Sequence, residues 1–185
     1  VVRSRGLGDV YKRQLLKSFA KNISLLNQLG IKVIVVHGGG PQIEKELKKR
    51  KINNEEYQGL RVTTKSVLGV VKRILSHDLN KLISDEIKKN GGKTKRLNGV
   101  STKVLKAKIA MNGNIGFVGE PRGIDKNIIM KALKSNHIPI IAPLGVDANN
   151  NTLNINADTA AAYIAESLKA ERLLLLTDVA GVLDN

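Results

Sequence analysis

The short apolar run Val33 to Val36 is followed directly by His37-Gly38-Gly39-Gly40-Pro41, and that order of residue types is a recipe for holding an anion. Glycines let backbone N–H groups come close to a ligand, and a helix opening at Pro41 would turn its positive dipole end toward the same spot. The spacing is neither Gly-x-x-x-x-Gly-Lys-Ser/Thr nor Gly-x-Gly-x-x-Gly, and a glycine triplet taken alone serves equally well as a tight turn. Arg61, within Gly59-Leu60-Arg61-Val62-Thr63, offers a planar guanidinium that can grip a carboxylate at two points; in isolation it is as readily a surface charge. Asn154 and Asn156 alternate, so strand geometry points both side chains to one face, although simple turn chemistry would also use them. Asp158 immediately precedes an Ala-rich stretch, where its ordinary role is a helix N-cap worth about 1 kcal/mol.

These residues need elements to position them. From Leu15 the pattern turns helical, with Leu15, Leu16, Phe19, Ile23, Leu26 and Leu29 on one face and Gly30 placed to end it. Val33 to Val36 is too short for a helix and rich in β-branched residues, which predicts a buried parallel strand, with a helix over Gln42 to Arg50 after the glycines. Beyond a polar loop, Val67, Val70, Val71, Ile74, Leu75, Leu79, Leu82, Ile83 and Ile87 form one helical face with room for a break near Ser76, stopping at Asn90-Gly91-Gly92. Leu105 to Ala110 and Ile115 to Val118 flank Asn112-Gly113, a strong hairpin signal because both central residues tolerate positive φ. Asp125 is expected to cap a helix carrying Ile128, Ile129, Ala132 and Leu133. Ile138 to Ala142 and Leu173 to Leu176 read as further buried strands, with a loop at Asp147 to Asn151 and a helix from Thr159 to Leu168 between them. The alternation predicts an α/β fold: a three-layer αβα sandwich with a mostly parallel sheet and an attached β-hairpin. Ligands of such sheets gather at the carboxyl ends of the strands, where the glycines and the asparagine segment fall.

Composition narrows the partners. A chain of 185 residues can bury a real core as one domain, and no apolar run approaches the ~20 residues of a membrane span, so a soluble protein is expected. The absence of Cys excludes disulfides, thiolate metal sites and a Cys nucleophile, and makes the cytoplasm the simplest location. Three scattered histidines, His37, His77 and His137, argue against a His-rich site, and no metal ligands are assigned. The formal charge of +15 raises a basic nucleic-acid-binding module as an alternative. Dispersed lysines with two Phe, three Tyr and no Trp give that alternative few stacking platforms, so a solvated Lys-rich surface is the simpler reading. Val1 to Gln14 develops no hydrophobic period, and residues 1–14 are expected to be a foreign or disordered leader ahead of the domain at 15–185. Intact-mass analysis of the natural gene product checks that expectation.

Taken in series, four segments resemble acetylglutamate kinases of the amino-acid kinase superfamily: His37-Gly38-Gly39-Gly40-Pro41, Gly59-Leu60-Arg61-Val62-Thr63, Asn154-Ile155-Asn156-Ala157-Asp158-Thr159-Ala160-Ala161 and Leu176-Thr177-Asp178-Val179-Ala180-Gly181-Val182-Leu183-Asp184. Their order and approximate spacing match the family over essentially Leu15 to Asn185. The resemblance implies an amino-acid-binding lobe with the start of a nucleotide-binding lobe, and phosphorylation of the γ-carboxylate of N-acetyl-L-glutamate to an acyl phosphate in arginine biosynthesis. It implies that Gly39 and Gly40 offer N–H groups to the transferring phosphoryl group and the substrate carboxylate. Arg61 and Asn154 would hold the α-carboxylate and acetamido end, and Asp158 would organise catalytic lysines. Asp178, Val179, Ala180, Gly181, Val182 and Leu183 would begin the pocket for ATP, which carries Mg²⁺ with it. A homo-oligomer without membrane attachment is the implied assembly.

The sequence departs from the family in three places. No Lys-x-Gly-Gly occurs in Val1 to Gln14, the sequence to Asn185 stops before the region expected to complete the ATP pocket and provide a second catalytic lysine, and Asn98-Gly99-Val100-Ser101 lacks the Gly-Lys-Asp-Gly-like turn of relatives. The polypeptide is therefore expected to be a fragment, inactive alone, and trapping an acyl phosphate as its hydroxamate tests this. A kinase for a carrier-protein-linked aminoadipate or glutamate is the nearest rival within the fold. A non-catalytic fragment that pairs with other subunits is a third reading.

Overall fold

A computed structural model describes residues 2–4 and 11–176 of the chain. In chain order the first elements are β1 (Val2–Ser4), α1 (Tyr11–Gln28), β2 (Val35–His37), α2 (Gly40–Lys49), β3 (Glu56–Tyr57) and β4 (Leu60–Arg61). A long helical run follows as α3 (Lys65–Arg73), a π-helical segment (Ile74–Leu79) and α4 (Asn80–Lys89). The second half carries β5 (Thr94–Asn98), β6 (Leu105–Ile109), β7 (Val118–Ile124), α5 (Lys126–Lys134), β8 (Ile138–Ala142), β9 (Leu144–Val146), β10 (Thr152–Ile155), α6 (Ala157–Leu168) and β11 (Leu174–Leu176).

The apolar runs build a five-stranded sheet in the order β11-β1-β2-β8-β5, every pairing parallel. Side chains of its central strands alternate between two helical layers, as a period of two requires. Val33, Val35, Ile138 and Ile140 meet Leu16, Ala20, Ile83 and Ile87 of α1 and α4, whereas Ile34, Val36 and Ile141 meet Ile129, Leu133, Ala160 and Ile164 of α5 and α6. A third apolar cluster joins α2, α3 and the π segment to Ala142 and Leu144, closing the carboxyl ends of the strands. The three-layer architecture is the expected one. Gly30 ends α1 at φ 88°, with the Ile31 N–H reaching back to the Leu26 carbonyl over 3.0 Å. Asp125 caps α5, its Oδ1 accepting from the Asn127 and Ile128 amides at 2.9 and 3.2 Å.

Val2–Ser4 pairs between β2 and β11, and α1 begins at Tyr11. Three expectations need correction. Leu15 and Leu29 are exposed, and the buried face of α1 runs through Leu16, Ala20 and Ile23 instead. Leu173 to Leu176 is exposed, 37–54% by residue, because β11 lies at the sheet edge with β1 as its partner. The attached hairpin is larger than expected: β6, β7, β9 and β10 close into a four-stranded barrel, and the return strand starts at Val118.

Small side chains let so few strands close. A Cβ on Gly119 would lie 2.7 Å from the Leu153 Cβ, and one on Gly145 would lie 2.8 Å from the Ala107 Cβ. The register shifts between Lys106 and Ala107, opposite the segment containing Pro121, where a missing N–H is tolerated. The wide turn keeps the backbone freedom read from Asn112-Gly113, with φ of 51° and 88°.

Candidate functional site

Strand β2 delivers its last residue, His37, to the carboxyl edge of the sheet, and the chain passes through Gly38 and Gly39 into α2. Gly39 is the N-cap and adopts extended backbone at φ −176°. A Cβ there would come within 2.7 Å of the Leu79 Cδ1 and 2.8 Å of the Leu75 Cδ2, so the π segment packs directly under the glycine loop. At Gly40 a Cβ would meet nothing nearer than the Glu44 Oε1 at 4.0 Å. A cavity of about 350 Å³ opens over this helix start, lined by Gly38, Gly39, Gly40, Glu44, Arg61 and Asn154 among others.

Arg61 ends β4 in a small antiparallel hairpin, opposite Glu56. Its side chain is 9% exposed; the guanidinium donates to the Asn54 Oδ1 and, over 3.1 Å, to the Glu44 Oε1, with the Glu56 carboxylate 4.0 Å away. The guanidinium thus sits between the Glu44 and Glu56 carboxylates at the cavity.

Thr63 ties that cation to the far side of the cavity. Its N–H donates to the Ile115 carbonyl at 3.0 Å and its own carbonyl accepts from the Phe117 N–H at 2.8 Å. The Asn154 N–H donates to the Phe117 carbonyl at 2.8 Å, and the Asn154 Nδ2 donates to the Thr63 Oγ1 at 3.1 Å. Gly116 makes this docking possible: it sits at φ 72°, and a Cβ would fall 2.4 Å from the Thr63 carbonyl oxygen. Sequence reasoning missed both Thr63 and Gly116, because each acts through a partner far away along the chain.

The N-cap of α6 is Asn156, not Asp158. The Asn156 Oδ1 accepts from the Asp158 and Thr159 amides at 2.9 and 3.1 Å, which leaves Asp158 half-buried in the first turn, where the helix dipole favours a carboxylate. Asn and Asp rank together as caps, so residue type could not choose between them. Asn156 lines the cavity together with Asn154; Asp158 does not. Asp178, Val179, Ala180, Gly181, Val182 and Leu183, expected to open the nucleotide pocket, lie outside the described residues.

Beneath the glycines runs a buried polar chain. The Arg96 Nε donates to the Asn80 Oδ1 at 2.9 Å, and an Arg96 terminal nitrogen donates to the Ser76 carbonyl in the π segment at 2.6 Å. The Asn80 Nδ2 lies 3.0 Å from the Ile140 carbonyl and 3.1 Å from the His37 Nε2, and the His37 Nδ1 lies 3.1 Å from the Gly38 carbonyl. Burial lowers the His37 pKa from its ordinary 6.5 to about 4; the Gly38 hydrogen bond opposes the fall and the Arg96 charge adds to it.

The sign of the resulting pH dependence follows by linkage. Between pH 6.5 and about 4 the unfolded imidazole takes up a proton that the folded one refuses, so stability present above this window is lost as pH falls through it. The slope approaches about 1.4 kcal/mol per pH unit and the loss about 3 kcal/mol in all. Thermal melting at a series of pH values is expected to show the decline starting near pH 6.5, well above the ordinary carboxylate range, and to lose that early component in a His37→Asn variant.

Known proteins resemble this chain in sequence and in fold. The sequence profile described as the amino acid kinase family matches residues 5–185. An acetylglutamate kinase from Campylobacter curvus is 42% identical over 170 residues, covering 92% of this chain and 60% of that protein. The chain thus spans about 60% of the length of the curated relatives it matches. The crystal structure of smu.665 from Streptococcus mutans UA159 superposes with a TM-score of 0.89 at 32% identity, covering 100% of this chain and 74% of that one. A carbamate kinase from Giardia shares the fold, at TM-score 0.65 and 15% identity, covering 96% of this chain and 70% of that one. Among the described residues, no helix is long and apolar enough to cross a membrane.

Proposed function

The chain belongs to the amino acid kinase family, and on that premise we propose that it is the amino-acid-binding part of an acetylglutamate kinase, which moves the γ-phosphoryl group of ATP onto the side-chain carboxylate of N-acetyl-L-glutamate. One observation carries the reading: Gly39, Gly40, Arg61 and Asn154, from three distant stretches of chain, line a single cavity at the helix start. The similarity to the Campylobacter curvus acetylglutamate kinase supports it.

The chemistry suits such a cavity. A glutamate side chain, with a reference pKa of about 4.3, is ionised at neutral pH, so no general base is needed to create the nucleophile. The difficulty is bringing one anion up to another, and fixed N–H dipoles and cations solve it by positioning and electrostatics. In this reading the Gly39 and Gly40 amides, at the positive end of α2, face the reacting groups. Arg61 grips the α-carboxylate in place of Glu44, and Asn154, steadied by Thr63, meets the acetamido end. Asp158 orients catalytic lysines, and Asp178 to Leu183 open the nucleotide pocket. The open space at Gly40, which any side chain would fill, fits a phosphoryl group. ATP supplies that group, and Mg²⁺, which keeps most of its waters and binds largely through phosphates, comes with it. A cytoplasmic, homo-oligomeric enzyme completes the reading, and sedimentation velocity tests the assembly.

Isothermal titration of this chain with N-acetyl-L-glutamate is expected to give saturable binding, roughly micromolar to millimolar as for ordinary metabolites. Free glutamate, carbamate and aspartate should bind at least about 10-fold weaker, because they leave buried polar groups unmatched. Equal response to all of them would defeat the assignment, and a response confined to a carrier-linked aminoadipate or glutamate would transfer it to that rival.

A further inference from the structure

Three successive glycines give the loop no side chain with which to fix its own peptide planes, and each can rotate through conformations closed to other residues. An anion site made of backbone amides needs those planes held. The buried chain beneath the loop does this, and its hydrogen bonds define every proton in it. A guanidinium can only donate, so the Asn80 atom 2.9 Å from the Arg96 Nε is the amide oxygen. The other Asn80 atom is then an NH₂, which donates to the Ile140 carbonyl and toward the His37 Nε2 and cannot accept. His37 Nε2 must therefore carry a lone pair, which places the ring proton on Nδ1, donated to the Gly38 carbonyl 3.1 Å away. Among the described residues every peptide is trans, so with the Gly38 carbonyl turned in toward the fully buried ring, the Gly39 N–H is turned the opposite way. Gly38, Gly39 and Gly40 all line the cavity.

We propose that His37 is a positioning residue: locked in its Nδ1–H tautomer by Asn80 and Arg96, it fixes the Gly38–Gly39 peptide so that the Gly39 N–H is presented to the cavity as an anion donor. This deepens the functional reading above and rests on it only for the identity of the anion, the γ-carboxylate or the phosphoryl group it receives. Arg96 acts twice. It orients the Asn80 amide, and it holds the Ser76 carbonyl of the π segment, whose Leu75 and Leu79 side chains support Gly39 from below. The carbonyl that Arg96 reaches thus lies within the π segment itself.

Two kinds of measurement test the proposal on this chain. Long-range proton–nitrogen NMR of the imidazole should report a neutral ring protonated on Nδ1 at pH 7; protonation on Nε2 would overturn it. His37→Asn retains an N–H donor near the place of Nδ1, whereas His37→Leu fills the space with none. Calorimetry with N-acetyl-L-glutamate should find His37→Asn within about 3-fold of the unsubstituted chain and His37→Leu weaker by about 10-fold or more. The Gly39 amide signal should move in the Leu variant and stay in the Asn variant. A purely packing role predicts the reverse order, Leu tolerated better than Asn, and that result also overturns the proposal. Should the Leu variant fail to fold, the tautomer in the unsubstituted chain still decides. If the unsubstituted chain ignores N-acetyl-L-glutamate, the substrate assignment falls, while the imidazole and Gly39 signals continue to decide whether the peptide is held.

Discussion

Replacing Arg61 with Ala is expected to weaken binding of N-acetyl-L-glutamate by about 100- to 1,000-fold, or roughly 3–4 kcal/mol, the range for truncating one partner of a desolvated charge pair. The side chain is 9% exposed and sits at the cavity, so its hydrogen bonds to a substrate carboxylate would form largely out of water. Stability should change by less than about 1 kcal/mol, because the Glu44 side chain, 52% exposed, stays solvated when its partner is removed. Arg61→Lys keeps the charge and loses the planar fork, and an intermediate loss of roughly 10-fold is expected. Glu44→Gln should move the affinity the other way, by a few-fold, since Glu44 is the carboxylate that holds the guanidinium in the free site. Titration calorimetry on the four proteins gives the comparison. An Ala variant that binds within about 3-fold of the unsubstituted chain would show that the guanidinium serves only the β3–β4 hairpin, and the substrate assignment would lose its anchor.

The parts of this site legible in the sequence are those whose residue types announce a backbone requirement. Three glycines between an apolar run and a proline, or an asparagine pair ahead of an alanine-rich stretch, restrict conformation locally; the structure puts the glycines at the start of α2 and a helix after the asparagines, with Asn156 rather than Asp158 as its cap. What stayed hidden depends on distant partners. Asn154 and Thr63 meet across 91 positions, and Arg96 reaches an Asn80 that reads in sequence as an ordinary polar position on a helix. Strand β5, Thr94-Lys95-Arg96-Leu97-Asn98, carries no apolar run because it lies at the sheet edge, and its Arg96 is needed as a hydrogen-bond donor rather than as core. The barrel was hidden for a different reason. Its closure depends on absent side chains at Gly119 and Gly145, and glycines in a sequence read as turns before they read as close packing.

Gly99 offers the sharpest case of such a silent requirement, and Gly99→Ala is expected to destabilise the protein by about 3–5 kcal/mol, enough to abolish folding if the starting stability is ordinary. A Cβ at this position would lie 1.9 Å from the Leu144 carbonyl oxygen and 2.7 Å from the Gly145 Cα. Both are backbone atoms of β9, so relief requires moving a strand of the barrel rather than turning a side chain. The loop has little freedom to yield, because the Asn98 Oδ1 holds the Val100 and Ser101 amides at 2.9 and 2.8 Å. Displacement would propagate: Leu144 pairs with Asn154, so pushing β9 away from the main sheet also shifts a residue that lines the cavity together with Arg61. A variant rescued by low temperature should therefore bind N-acetyl-L-glutamate more weakly in proportion to its loss of native barrel. Gly69→Ala supplies the control of opposite sign. That glycine lies on the exposed face of α3 with nothing within 4 Å of an added Cβ, so the same substitution should stabilise by about 0.5–1 kcal/mol through helix propensity alone. Urea unfolding of the two variants separates them by at least about 3 kcal/mol if the two sheets meet at Gly99, and an unaltered midpoint for Gly99→Ala would mean that they do not.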